Sequence, residues 1–386
     1  MHRLARAVVA VVALSSLSAF ATEPDAVPLK EAKPVEQLKA DGRPVLEVAF
    51  VLDTTGSMGG LLEGAKQKIW SIASRMASGK PTPRIRVGLV AYRDRTDEYV
   101  TKTFDLSEDL DAVYANLRGF QAGGGGDTPE HVGKGLADAV DKMSWTTQGR
   151  VARMIFLVGD APSQHYNDGF DAPTWAKKAI ERGIVVNTIR CGGDPNTERE
   201  FLALAHMADG TYASIGQTGG MVAVATPYDA EMAKLNAKLA DASMYAGGRA
   251  ARDEGRAAAL ELKAMPAPAA ADRIAFASKT GAAMGALGGG GRAGGGLFDL
   301  AAEPARLDSL KKEELPDELQ KLSPEERRAA VEKVAKERKA LEAQLAKLAK
   351  ERDGWLAKNA ETKKDSFDEK VFDSVKARAK TAGVAY

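Results

Sequence analysis

Asp53, Thr55 and Ser57 alternate along Asp53-Thr54-Thr55-Gly56-Ser57-Met58-Gly59, so one carboxylate and two hydroxyls share a single short stretch. Oxygen donors at that spacing on a tight turn can converge on one small divalent cation, and neither His nor Cys stands among them. Hard oxygen donors suit Mg2+ or Mn2+, and Ca2+ less well because it takes more ligands. Gly56, Gly59 and Gly60 carry no Cβ to obstruct the turn.

The elements on either side decide where such a turn would lie. The near-continuous apolar run Val45 to Leu52 predicts a strand buried on both faces. Leu61, Leu62, Ala65, Ile69 and Ile72 then recur at helical spacing. A strand-to-helix turn of a parallel sheet lies at the carboxyl ends of the strands, where open α/β sheets bind ligands. The pattern repeats along the chain. Strands are predicted at 85–92, 153–158, 184–189 and 211–214, with a short edge strand at 100–104. Helices are predicted from Leu110, from Asp127 or Thr128 through Met143 with Pro129 in the first turn, over 172–182, from a Thr197-Glu198-Arg199-Glu200 capping box to Ala208, and over 229–245. Strands alternating with helices imply an α/β fold, a doubly wound and mainly parallel sheet with right-handed crossovers.

At these residues the chain resembles the von Willebrand factor A-type (vWA) domains. Asp53-Thr54-Thr55-Gly56-Ser57 is similar to their metal-ion-dependent adhesion site (MIDAS), in a DxTxS form of the DxSxS motif. The resemblance implies a divalent cation, usually Mg2+, whose last coordination position is filled by an acidic group of a protein partner. It also implies a threonine and an aspartate on two later loops, matched by Thr128 in Gly123-Gly124-Gly125-Gly126-Asp127-Thr128-Pro129-Glu130 and Asp160 in Val158-Gly159-Asp160-Ala161. In family terms Thr55, Ser57 and Thr128 are hydroxyl ligands, direct or through water, while Asp53 and Asp160 bind mainly through water. Capping alone explains Asp127-Thr128-Pro129; four consecutive glycines are more natural where the chain passes close to a ligand. Arg93, Asp94 and Asp127 are candidate residues of the site's rim. His131 reads as an exposed helix residue.

The function this predicts is a binding module, not an enzyme, recognising an Asp or Glu of a partner through the cation. An alternative is metal-dependent hydrolysis of a phosphate ester with Asp53 as nucleophile or base, although spacing supplies no second acid, base or cationic clamp. A structural envelope scaffold with a degenerate site is the third reading.

A net charge of +1, with basic and acidic residues interleaved, gives no electrostatic footprint for nucleic acid. The single cysteine, Cys191, excludes an intrachain disulfide and reads as a small half-buried side chain. His2, Arg3 and Arg6, the apolar run Ala7 to Phe20, and Ala19-Phe20-Ala21 form a predicted signal peptide over 1–21. Its core is shorter than the roughly 20 residues of a spanning helix, so the expectation is an exported, periplasmic or secreted protein with no integral membrane segment after cleavage. Residues 22–42 read as a leader, 43–246 as the vWA domain and 247–302 as a flexible Ala/Gly-rich linker. Residues 303–386 read as a charged helical region, with Ser323-Pro324-Glu325-Glu326 opening a long helix. That helix carries an apolar row, Val334, Leu341, Leu348 and Trp355, beside the mixed row Val331, Arg338, Leu345 and Arg352. A second helix with Phe367, Val371 and Val375 on one side suggests a helical hairpin or a partial coiled coil.

Overall fold

The computed structural model describes residues 42–126, 128–220, 225–285, 297–359 and 366–386. The predicted signal peptide, the leader up to residue 41, Asp127 and the glycine run 288–296 lie outside them.

The centre is a six-stranded sheet of β1 (Val45–Asp53), β2 (Arg84–Tyr92), β3 (Thr101–Ser107), β4 (Val151–Gly159), β5 (Ile184–Cys191) and β6 (Tyr212–Ile215). Its order is β3-β2-β1-β4-β5-β6, parallel except for the edge strand β3. Every residue of β1 is buried, as an all-covered parallel strand requires. Alternate residues of β1 feed two cores. Leu46, Val48, Phe50 and Leu52 join Phe156, α1 (Gly59–Met76) and α2 (Leu110–Arg118) on one face. Ala49 and Val51 join α3 (Val132–Asp141), α4 (Ala172–Glu181) and α5 (Pro195–Met207) on the other. After β1 the chain moves to β2 on one side and later returns to β4 on the other, so the strand order reverses between β1 and β4. This is the crevice in which open sheets bind ligands.

Some boundaries differ from the sequence reading. Helix α3 does not begin at Pro129. Glu130 forms an isolated parallel bridge with Ser163, its N–H donating to the Pro162 carbonyl at 2.9 Å, and this pairing holds the chain extended up to His131. Helix α5 is capped by Asp194, whose side chain accepts from the Thr197 N–H, and Pro195 takes the first turn. The capping box expected at Thr197 is therefore displaced by a better acceptor three residues earlier. Cys191 is fully buried rather than half-buried.

The larger correction lies beyond the sheet. Where the sequence predicts a flexible linker, α7 (Arg249–Lys263) and α8 (Ala267–Thr280) form, following α6 (Asp229–Asp241). Alanine is the strongest helix former, and Ala269, Ala270, Ala271, Ala275 and Ala277 are small enough for α8 to lie against α1 and α6. Trp70 of α1 meets Phe276 of α8 at 5.8 Å between ring centroids.

The two last helices, α9 (Pro324–Asn359) and α10 (Phe367–Ala379), bury their apolar stripes on different surfaces instead of on each other. Leu341, Leu345 and Ala349 of α9 cluster with Met232, Leu235 and Leu239 of α6 and Ile274 of α8. Phe367, Val371 and Val375 of α10 enter the sheet core, where Phe367 lies 6.1 Å from Phe50. The hairpin expected from the sequence is not formed: α6 and α8 cover the stripe of α9, and the sheet core covers that of α10.

Candidate metal centre

Asp53 ends β1 and is fully buried. One carboxylate oxygen, Oδ1, accepts from the Thr55 N–H at 2.8 Å and the Thr55 hydroxyl at 2.6 Å. The other, Oδ2, has no hydrogen-bond partner among the described residues. The Ser57 hydroxyl stands 3.4 Å from that of Thr55, on a single turn of 3-10 helix over Gly56–Met58 that exposes Gly56 and Ser57 and buries Met58. Thr55 thus stands between Asp53 and Ser57, its hydroxyl near an oxygen of each.

Asp160 follows directly on β4, the parallel neighbour of β1. The approach is close. A Cβ on Gly159 would overlap the Tyr92 hydroxyl and touch Asp53 Oδ2 at 3.4 Å, so only glycine lets β4 end there. Burial raises the Asp53 carboxyl to about 7, and the nearby Asp160 charge adds to the rise against the lowering effect of the Thr55 hydrogen bonds. Burial, then the charges of Asp53, Glu130 and Asp160, also push the Tyr92 hydroxyl well up. Two neighbouring carboxylates, one of them fully buried with an oxygen that no hydrogen bond of good geometry satisfies, make an environment that favours a cation. The residues present fit a divalent ion of oxygen preference. Among the described residues no group of three or more His, Cys, Asp and Glu is disposed to hold a metal, so hydroxyls must supply part of any donor set.

The glycine loop crosses directly above this turn. Gly123 N–H donates to the Thr54 carbonyl at 3.1 Å, and a Cβ on Gly125 would meet Thr55 Cβ at 3.4 Å. Gly124 and Gly125 adopt φ of +77° and +82°, which favours glycine, and Asp97 Oδ1 accepts from the Gly125 N–H at 3.0 Å. Thr128 is exposed on this same loop, two residues before the anchored Glu130.

The candidate rim residues act mostly from beneath. Arg93 is buried and donates to the carbonyls of Thr54, at 3.1 Å, and Gln121, at 2.7 Å, tying the metal turn to the glycine loop. Asp94 is also buried and accepts from the Tyr166 hydroxyl at 2.6 Å. His131, expected on an exposed helix face, is 2% exposed. Its Nε2 pairs with Asp168 at 2.9 Å, and burial pushes its pKa down against that carboxylate's pull. The extended bridge at Glu130 turns it inward.

Two neighbours were not anticipated from sequence. Glu130 is buried beside the loop, its Oε1 3.8 Å from a Cβ built on Gly125. Gln217, just after β6, donates from Nε2 to Asp160 Oδ2 at 2.5 Å and to the Ser57 carbonyl at 3.3 Å. The acidity of Glu130 within the glycine-loop motif was a usable signal; a single glutamine offers none.

A mainly parallel sheet whose strand order reverses between β1 and β4, with Asp53 and Asp160 at the strand ends there, defines the class: a doubly wound α/β domain, in which the carboxyl edge is the usual place for ligands. Residues 47–217 match the von Willebrand factor type A domain. The vWA family comprises metal-dependent protein-interaction modules that typically hold a divalent cation at the MIDAS. The chain is 28% identical over 131 residues to an ariadne-like RING finger protein of Acanthamoeba polyphaga mimivirus, covering 34% of this chain and 12% of the viral protein's length. Among solved structures it is similar to the conserved hypothetical protein BatB of Bacteroides thetaiotaomicron, at 19% identity and TM-score 0.33, covering 45% of this chain and 90% of that one. It is also similar to the proximal thread matrix protein of the mussel byssus with a zinc-occupied MIDAS motif, at 17% identity and TM-score 0.36, covering 45% and 42% of the two chains. No helix among the described residues is long and apolar enough to cross a membrane.

Proposed function

We propose that this protein is an exported, cation-dependent adhesion module that recognises an acidic side chain of a protein partner. Asp53, Thr55, Ser57, Thr128 and Asp160 would hold the cation, with Mg2+ the best match to an all-oxygen donor set and Mn2+ or Ca2+ as substitutes. The observation that carries the reading is the buried Asp53 carboxylate, one oxygen unsatisfied, facing Asp160 and flanked by two hydroxyls. When bound, the ion neutralises this pair and supplies a Lewis-acidic position for an incoming carboxylate. The chain's own residues do the rest. Thr55 orients Asp53 through two hydrogen bonds, Arg93 holds the glycine loop against the turn, and Gly159 brings Asp160 within reach. Export rests on the signal-like segment 1–21.

The test is calorimetric titration of Mg2+ and Mn2+ into the protein and into Asp53→Ala, paired with cation-dependent capture from a cell-envelope extract. Binding and capture that both vanish in Asp53→Ala or with chelator support the reading. Capture unchanged by chelator would refute it, and cation-dependent turnover of a phosphate ester would move the protein to the hydrolase alternative.

A further inference from the structure

Gln217 is exposed, and its amide oxygen lies close over Gly192, the residue that follows β5. On the other side Thr218 packs over the first turn of α1, its Cγ2 3.3 Å from a Cβ built on Gly60. Between these supports the Gln217 amide nitrogen spans the two halves of the candidate centre, reaching Asp160 Oδ2 on the β4 side and the Ser57 carbonyl on the β1 side.

We propose that Gln217 sets the cation affinity of this centre, as a neutral donor that holds Asp160 and must be displaced when a cation takes that carboxylate. The inference rests on the cation reading above. An amide N–H satisfies a carboxylate oxygen by a charge-assisted hydrogen bond but adds no charge against the Asp53 and Asp160 pair. A divalent ion or its hydrating water requires the same oxygen and offers far more electrostatic compensation. The glutamine is therefore a competitor, and its loss strengthens cation binding. A residue serving only to position Asp160 would give the opposite result, because the carboxylate would lose its orientation.

Calorimetric titration of Mn2+ into the full chain, Gln217→Met and Asp53→Ala separates the cases. Methionine keeps the length of the side chain and removes the donor. Expected is binding on the order of fivefold tighter in Gln217→Met, equivalent to about one exposed charge-assisted hydrogen bond, and none in Asp53→Ala. Equal or weaker binding in Gln217→Met overturns the competitor role while leaving the cation site standing. Absence of binding to the unaltered chain removes both. A second readout needs no affinity: the Gln217 side-chain amide resonances, identified by their absence in Gln217→Met, should move toward free-amide positions when Mg2+ is added. Resonances unmoved by saturating Mg2+ also overturn the proposal.

Discussion

In β1 every residue from Val45 to Asp53 is buried, and all but Glu47 and Asp53 are apolar. In α9 the buried row is Val331, Arg338, Leu341, Leu345, Ala349 and Arg352, two arginines among four hydrophobic residues. The strand is placed by apolar surface on both of its faces. The helix is placed in addition by charges whose partners come from elsewhere. Arg338 pairs with Asp299 at 2.7 Å, and Arg352 reaches Asp229 and Asp272, each at 2.7 Å. The same device recurs where the terminal helices meet the sheet domain, in Arg273 with Asp111 at 2.6 Å and Lys68 with Asp368 at 3.1 Å. Apolar contacts tolerate sliding, since one leucine replaces another. Buried ion pairs do not, and a one-turn slip of α9 would take Arg338 from Asp299 and Arg352 from Asp229 and Asp272 together, leaving Arg338 only Glu342 of its own helix. The difference suggests that hydrophobic burial gives the C-terminal helices their attachment and the ion pairs give them their register.

The largest effect that would break this comparison comes from Arg352→Ala, which strands two carboxylates. The expected loss is about 5 kcal/mol, the upper part of the range for uncoupling a buried pair, measured by chemical denaturation. The loss should deepen as pH rises. Burial already holds the Asp272 carboxyl above its ordinary value against the opposing pull of Arg352, and without the arginine its proton is retained further. A group whose folded pKa is raised gives stability that is complete at low pH and disappears as pH climbs through that value. Replacing all three charges, as Arg352→Met with Asp229→Asn and Asp272→Asn, should recover most of the loss if the pairs serve register more than stability. Next in size is Phe367→Ala, which removes the ring beside Phe50 and should cost about 3 kcal/mol. Unlike Arg352→Ala, its effect should be nearly flat between pH 5 and about 8, because no charge is uncovered; a marked pH dependence would count against an apolar attachment for α10.

This contrast also separates what could be read in the sequence from what could not. The period-2 and period-3.6 patterns gave the sheet and its flanking helices because each segment carries its own apolar signal. Asp53, Thr55 and Ser57 come together in the sequence for the same reason, being neighbours along one turn, whereas Asp160 enters only through the family resemblance. Glu130 was hidden by Pro129: a proline after a capping residue reads as a helix start, while the pairing of Glu130 with Ser163 is a contact across the fold. The terminal helices were misread in both directions. Alanine-rich composition suggested a linker where small side chains in fact let α8 approach α1 closely. On α9 the row that is half charged sits beside an all-apolar one, yet its Arg338 and Arg352 are buried more deeply than Val334, Leu348 or Trp355 of the apolar row. An arginine's burial depends on carboxylates tens of residues away, and no window along the chain contains both.

The smallest of the expected effects asks whether a buried charge inside the sheet domain behaves like those of the C-terminal helices. Asp138 of α3 is 2% exposed and accepts from the Thr101 hydroxyl at 2.6 Å, from Lys142 at 2.8 Å and from Lys134. Burial alone would raise its carboxyl, but these three donors outweigh it and hold the pKa below the ordinary 3.8. For a lowered pKa the sign is opposite to that of Asp272: the stability contribution is complete above pH 4 or so and is lost as pH falls through the folded value. Asp138→Asn should therefore cost about 1–2 kcal/mol at neutral pH, as expected for lost hydrogen bonds to a charged group, and progressively less toward pH 3. Denaturation midpoints of the two proteins across that range check it. Two of its donors, Lys134 and Lys142, are its own helical neighbours four residues away on either side, so uncoupling Asp138 leaves no distant charge buried alone. A loss in Asp138→Asn as large as that in Arg352→Ala would show that distance along the chain is not what distinguishes the two regions.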